Sequence, residues 1–265
     1  MTAVQTSPAT RQARPGAASG DRFGRTPKVP FPRLTLVELR KLADTRSGLW
    51  LLIVIGLAAV ATTVIMLTAA PDEEQTFAAF FTFAQLPAGV LLPVLGILSM
   101  TSEWSQRTAL GTFTLVPQRG RVVAAKLAAA ALIAVIAAIS GLVFAAAGNL
   151  IAAGPWTITW QLIAQCMVLQ VVWVLMGSAF GALLMSSPLA IVTFFALPMV
   201  WTILGETIRS LHTAAGWLDL NVTTVPLTEA GMTAGQWGRF AVSAAVWVLL
   251  PLIAGTVRVL KREVS

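Results

Sequence analysis

Few residues of this chain could carry out covalent chemistry. His212 is the only histidine and Cys166 the only cysteine, whereas a metal site needs several His, Cys or carboxylate side chains that converge. Ser178 lies in the Gly-rich stretch 177–181, but a nucleophilic serine needs a base beside it, and no histidine is predicted at a matching depth. The sequence therefore predicts no catalytic residue and no metal site, and we expect the chain not to be an enzyme.

A nucleotide site is not predicted either. The stretch 20–26 (GDRFGRT) has three residues between its glycines instead of four, Arg in place of Lys, and no preceding strand. We therefore expect no cofactor in this chain. The net charge of +7 does not predict nucleic-acid binding, because the basic residues lie in short segments beside apolar runs, where membrane topology and anionic lipid headgroups explain them.

The segments that would position any functional site are apolar runs of the sequence. The chain is 57% apolar and 11% charged, far from the roughly 25% charged residues of a soluble domain. A helix needs about 20 mostly apolar residues to cross a bilayer. Six runs meet this requirement, so the predicted fold is an all-α membrane protein with spans at 48–70, 77–100, 122–146, 161–184, 188–204 and 238–259.

The distribution of Lys and Arg predicts the orientation of these spans. With a cytoplasmic N-terminus, sixteen of the eighteen basic residues fall in cytoplasmic segments, and only Arg209 and Arg239 lie outside. The opposite orientation would reverse the positive-inside bias. We therefore expect a multi-pass protein of the plasma membrane with both termini in the cytoplasm.

The polar segments divide the chain further. Residues 1–32 are predicted to be a disordered basic cytoplasmic tail, and residues 33–265 the six-span domain. Residues 33–46 are predicted to form an amphipathic helix along the cytoplasmic interface, with Leu36, Leu39 and Leu42 on one arc and Glu38 and Lys41 paired on the polar side. The alternative is a basic helix start that only fixes topology. The external segment 205–237 is apolar enough to predict a short helix or re-entrant pair over the outer mouth.

The positions of proline and glycine predict how the spans pack against each other. Pro87 and Pro93 in the second span favour a kinked helix that faces protein or a pathway. Gly177 and Gly181 form a G-x-x-x-G contact pattern, which leaves open whether the contact is internal or between subunits. Residues 186–188 (SSP) predict a tight turn between spans four and five.

The cytoplasmic segment 103–122 is predicted to be functional. It is too long for a simple turn and too basic to bury, and it contains Gly and Pro breaks. Glu103 lies where the second span leaves the membrane, one helical turn before Arg107. A compact element joined to two spans suits mechanical coupling to a cytoplasmic partner. The alternative is a charged loop that only maintains topology.

This segment resembles the corresponding loop of the ABC-2 type permeases, the membrane subunits of many bacterial ATP-binding cassette exporters. The matching residues, in order, are Glu103, Thr108, Gly111, Thr112, Pro117, Arg119 and Lys126. The interfacial segment resembles the family through Glu38, Arg40, Lys41, Thr45 and Arg46. The resemblance covers residues 33 to 262, and Trp104 and Gln106 depart from the usual residues.

The resemblance implies a type V exporter-like architecture and a function. The chain would be a permease subunit that exports a hydrophobic or amphipathic drug, lipid or peptide, driven by a separate ATPase that binds Mg-ATP. A second permease copy, identical or paralogous, would complete a pathway lined by spans two and five. The residues implied in coupling are Glu103, Arg107, Arg119 and Arg121, supported by Arg40 and Arg46. Polar candidates along the pathway are Gln85, Thr193 and Thr202.

Other functions stay open from the sequence. A secondary carrier would transport its substrate with an ion gradient and without an ATPase. A membrane-embedded enzyme would need a polar constellation inside the bilayer, which the spans do not show. A non-transporting membrane subunit that senses a ligand or confers immunity is a further alternative.

Overall fold

The computed structural model describes residues 29–105, 119–229 and 231–261, excluding the side chains of 103–105. Within these residues the chain is helical and has no strand. The helices are α1 (Phe31–Asp44), α2 (Arg46–Ala69), α3 (Phe77–Ser105), α4 (Arg119–Ala152), α5 (Trp160–Leu184), α6 (Ser187–Thr207), α7 (His212–Leu218), α8 (Leu220–Thr224) and α9 (Ala234–Lys261).

Six of these helices, α2 to α6 and α9, are long and apolar enough to cross a membrane. The predicted six-span, all-α class is therefore confirmed, with ends that differ by a few residues. The largest difference is in α4, which extends to Ala152 instead of residue 146. Its last two turns (AAGNLIA) contain no proline, and their Gly148 and Asn149 are buried, so packing outweighs the weak helix preference of these two residues.

The helices run alternately, so the bundle has two distinct ends. The basic end carries α1, Arg119, Arg121, Arg258 and Lys261. The opposite end carries the connections 70–76, 153–159 and 208–233. The two ends differ in charge, which is the asymmetry that the sequence predicts.

The amphipathic segment and the first span are two helices joined at one residue. Thr45 has an extended backbone (φ −71°, ψ 140°), and its Oγ1 accepts a hydrogen bond from the Gly48 amide at 3.3 Å. This cap begins α2 at Arg46, so Arg46 belongs to the span and not to the interfacial helix of the predicted range 33–46. Gly48 is required here because a Cβ atom would collide with the carbonyl of Leu42.

The centre of the bundle is the contact between α3 and α5. A Cβ atom on Gly177 would collide with the backbone of Pro93, and one on Gly181 would approach the Cα of Ile97 to 3.0 Å. The two glycines of the G-x-x-x-G pattern therefore mark an internal contact. The predicted protein-facing character of the second span is confirmed, since α3 and α5 are the two most buried spans.

Short helices cover the opposite end, as predicted for segment 205–237. Asp219 caps α8 by accepting a hydrogen bond from the Asn221 amide at 2.9 Å. The indole of Trp247 in α9 donates to the carbonyl of Leu218 at 2.6 Å, within a π-helical stretch Ala245–Leu249. These bonds fix α7 and α8 against the end of the bundle. The tight turn before α6 is also present, with Met185 in the left-handed region (φ 53°).

Candidate functional site

A buried ion cluster joins three helices at the basic end. Lys126 of α4 donates from Nζ to Glu38 Oε2 of α1 at 2.8 Å and to the Ser99 carbonyl of α3 at 3.2 Å. Lys41 of α1 donates to Glu38 Oε1 at 2.6 Å. Glu38, Lys41, Ser99 and Lys126 are called the Glu38 cluster below. Two of its charges are shielded from solvent, because Lys126 is 3% and Glu38 5% exposed, whereas the side chain of Lys41 is partly in solvent.

The Glu38 cluster changes the predicted orientation of α1. Glu38 was expected on the polar side, and its pairing with Lys41 is confirmed, but its side chain is buried against α4. Leu36, expected on the apolar arc, is 48% exposed. The physical reason is Lys126: a buried ammonium needs a counter-charge, and this contact turns the face of Thr35, Glu38 and Leu42 toward the bundle.

The cluster also sets the protonation of Glu38. Burial raises the pKa of the carboxyl group, but the charge and hydrogen bond of Lys126, together with those of Lys41, outweigh burial and lower the pKa below its ordinary 4.5. The carboxylate is therefore the form that stabilises the folded protein.

The lowered pKa of Glu38 in the folded protein predicts how the stability of the fold changes in acid. The stabilisation by Glu38 is fully present above about pH 4.5 and is lost as the pH falls through the folded-state pKa. We expect Glu38→Gln to be less stable than the wild type at pH 7, and this difference to shrink below pH 4.5. The measurement is the unfolding midpoint of both proteins in mixed micelles from pH 7 to pH 3. A difference that does not change with pH would contradict the role of the carboxylate.

The other residues proposed for coupling lie at the same end, with one outside the described residues. Arg121 donates to the Val29 carbonyl just before α1 at 2.7 Å, and Arg119 to the Val259 carbonyl of α9 at 3.4 Å. Arg40 and Arg46 are exposed in α1 and at the start of α2. The backbone of Glu103 lies in the last turn of α3. Arg107, like the rest of 106–118, lies outside the described residues, as does the predicted tail through residue 28.

A cavity of about 700 Å³ lies in the half of the bundle toward the opposite end. It is a partly open cavity lined by α3, α5, α6 and the segment that follows α7. Two of the predicted pathway residues, Gln85 and Thr202, line it, whereas Thr193 does not. The lining is mainly apolar and includes Leu86, Val90, Leu169, Trp173, Phe194, Phe195, Pro198, Met199 and Ile203.

Polar side chains meet the cavity at two depths. Near the opposite end, Asn221 donates to the Thr202 hydroxyl at 3.0 Å, and that hydroxyl donates to the Pro198 carbonyl at 3.1 Å. Deeper in the bundle, Gln170 of α5 donates to the backbone carbonyl of Gln85 at 2.9 Å and to its Oε1 at 3.2 Å. Both glutamines are buried. The cavity therefore offers hydrogen-bonding groups within an apolar wall, an arrangement suited to binding.

The side chains that line this cavity are apolar or uncharged polar groups. None of its lining side chains is acidic or basic, and its cysteine, Cys166, is buried with Sγ 4.0 Å from the Leu227 carbonyl. Within residues 29–105, 119–229 and 231–261, no group of three His, Cys or acidic side chains could share a metal ion. His212 lies on the surface at the opposite end, with Nε2 3.2 Å from the Glu206 carbonyl.

Two features of these candidate sites were not predicted from the sequence. The Glu38–Lys126 pair spans 88 positions, and only the presence of one Lys at the head of an alanine-rich span could have indicated a buried partner. Gln170 was not singled out, although a glutamine in the middle of an apolar span needs hydrogen-bond partners.

Comparison of the chain with protein-family models gives no match, and comparison with curated proteins gives none either. In the part of the chain that the structure describes, the geometry establishes a helical architecture with six helices long and apolar enough to cross a membrane. It has a buried ion cluster at its basic end and an apolar cavity toward the other end.

Proposed function

We propose that this chain is the membrane subunit of an ATP-driven exporter of the ABC-2 permease type. The observation that carries the proposal is the Glu38 cluster, which ties the amphipathic helix α1 to α3 and α4. These are the two spans that flank segment 106–118. An interfacial helix joined by a buried ion pair to the helices on both sides of this loop is suited to receive force from a partner.

The charge of the basic end supports a cytoplasmic location for this end and a cytoplasmic ATPase as its partner. Arg40, Arg46, Arg119 and Arg121 lie at the end that also carries the C-terminal basic residues of α9. By the positive-inside rule this end faces the cytoplasm, in the plasma membrane of a bacterium by family resemblance. The ATPase would dock here and would hold the Mg-ATP. A second copy of this chain or a paralogue would complete the transporter.

The proposed mechanism follows the contacts from α1 to the cavity. Closure of the ATPase pair would displace α1 and segment 103–122. Because Lys126 binds both Glu38 and the Ser99 carbonyl, a displacement of α1 is transmitted to α3 and α4. The helix α3 carries Gln85, Leu86 and Val90 into the cavity wall. A rigid-body movement of this kind needs only a difference in contact free energy between two states of the ATPase.

The proposal is tested by co-purification and by charge removal. We expect the chain, isolated from its native membrane in mild detergent, to carry a stoichiometric cassette ATPase. Replacing Arg119 and Arg121 together by Ala should reduce ATPase docking or transport-stimulated hydrolysis about tenfold or more, because two charged contacts are lost. The spans should still insert.

The matched control is Arg209→Ala with Arg239→Ala, which removes two arginines from the opposite end and should leave docking unchanged. Unchanged docking and hydrolysis in the Arg119/Arg121 variant would contradict the coupling assignment. A chain that purifies alone and transports without ATP would instead support a carrier driven by an ion gradient.

A further inference from the structure

One buried hydrogen-bond acceptor in the cavity wall has no protein partner. The side chain of Gln170 is 1% exposed. Both of its amide hydrogens are used, toward the Gln85 carbonyl at 2.9 Å and toward Gln85 Oε1 at 3.2 Å. Its own Oε1 accepts no hydrogen bond. Buried side-chain oxygens in apolar surroundings are normally paired, so this oxygen is a candidate contact for a ligand.

The orientation of the Gln170 amide is fixed by its surroundings. Exchanging its oxygen and nitrogen would place Oε1 against the carbonyl oxygen of Gln85, where two acceptors would repel. The second contact requires the same orientation, because Gln85 Nε2 donates to the Ala138 carbonyl at 2.9 Å and leaves Gln85 Oε1 as the acceptor toward Gln170. The network therefore holds Oε1 of Gln170 as the free acceptor.

The approach to this oxygen passes Gly89. Gly89 and Gln170 both line the cavity, and a Cβ atom on Gly89 would lie 3.9 Å from Gln170 Oε1. No side chain of residue 89 therefore stands between the cavity and the acceptor. Oε1 is covered in this structure, so a donor would need a small local opening of the wall beside Gly89 to reach it.

The other side chains of the cavity wall restrict the class of ligand that can bind. The lining side chains carry no fixed charge, and moving a charged group into such surroundings is costly. A volume of about 700 Å³ lies in the range of drug-sized ligand sites. We propose that the cavity binds an uncharged amphiphile whose hydroxyl or amide N–H donates to Gln170 Oε1 while its apolar body contacts Trp173 and the aliphatic wall. This names a substrate class for the transporter proposed above and rests on that function only for transport.

Binding can be measured on the purified full chain without transport. Trp173 lines the cavity, and bromine atoms quench indole fluorescence on contact. The probes are 12-bromododecan-1-ol, its methyl ether, which has no donor, and 12-bromododecyltrimethylammonium, which is permanently charged. Subtracting the signal of Trp173→Phe isolates the cavity from the other tryptophans. We expect saturable quenching by the alcohol, about fivefold weaker binding of the ether because one hydrogen bond is missing, and still weaker binding of the cation.

Two variants and one control test the acceptor. In Gln170→Leu the alcohol should lose its advantage over the ether. Gly89→Ala should have the same effect, and it is the second test because its added methyl group meets only ordinary contacts. Gln165→Leu is the matched control: Gln165 is also a buried glutamine of α5 with an unpaired Oε1, but it does not line the cavity.

The results of these experiments test the binding site and the proposed transport function separately. An alcohol-to-ether ratio that remains about five in Gln170→Leu, or in Gly89→Ala if Gln170→Leu does not fold, overturns the site. Equal binding of all three probes, or no saturable quenching, overturns the ligand class. A confirmed site without a co-purified ATPase would instead contradict the proposed function and leave the binding site intact.

Discussion

Replacing Lys126 by Met is expected to lower the free energy of unfolding by about 3 kcal/mol, because it leaves a buried carboxylate without its principal counter-charge. Glu38 is 5% exposed and would keep only the contact with Lys41, whose side chain is 46% exposed. The measurement is the unfolding free energy from titration with a denaturing detergent in mixed micelles. If the proposed coupling holds, the same variant also loses ATPase-driven transport.

Two further variants control this experiment. Lys41→Met removes the more exposed partner of the same carboxylate and should cost about 1 kcal/mol or less. Replacing Glu38 and Lys126 together by Met should recover most of the stability, because no uncompensated charge stays buried. A Lys126→Met protein as stable as the wild type would show that the ion pair does not contribute to the fold.

Replacing Gly177 by Ala is the second change with a large expected effect. The new methyl group would collide with the backbone of Pro93, and a backbone cannot move aside as a flexible side chain can. We expect α3 and α5 to separate locally, at a cost of about 3 kcal/mol, and Gly177→Val to give no monodisperse protein. Unfolding free energy and size-exclusion chromatography in mild detergent are the measurements.

Gly56→Ala is the control for this substitution. A Cβ atom at position 56 of α2 meets nothing within 4 Å, so the variant should be as stable as the wild type or slightly more stable, since Ala favours the helix. An equally stable Gly177→Ala protein would contradict the close backbone contact between α3 and α5.

The spans could be predicted because they depend on local composition. Twenty apolar residues without charge dictate a membrane helix whatever its neighbours are, so the sequence predicts α2 to α6 and α9, with ends that differ from the structure by up to six residues. Helix ends depend on caps and on packing after the turn. For this reason α4 extends further than predicted, and Thr45 divides the amphipathic segment from α2.

The side-chain geometry of the sites could not be predicted in the same way. Glu38 has Lys41 one turn away, and local spacing gives no reason to prefer a lysine 88 positions later. Only the approach of α1 to α4 decides that Glu38 is buried. The hydrogen bonds between Gln85 and Gln170 likewise depend on the register between α3 and α5. Close backbone contacts at glycine residues set this register, and the sequence pattern does not reveal it.

The contacts of α3 also determine where this molecule is stiff and where it is compliant. Hydrogen bonds from Gln85 to α4 and from Gln170 to α3, with the glycine contact at Pro93, join α3, α4 and α5 into one block. By contrast, α6 meets this block through ring edges, with Phe194 6.1 Å from Trp173 between ring centroids.

The start of α6 is tethered, because Ser187 Oγ lies 2.6 Å from Thr101 Oγ1 of α3. At the opposite end, α6 is joined to α8 by the hydrogen bond from Asn221 to Thr202 at 3.0 Å. If that bond breaks, a swing of α6 about its tethered start would widen the cavity on its α6 side toward the hydrocarbon of the membrane while the block stays intact. An amphiphile could then enter sideways from the bilayer, without a water-filled passage along the bundle axis.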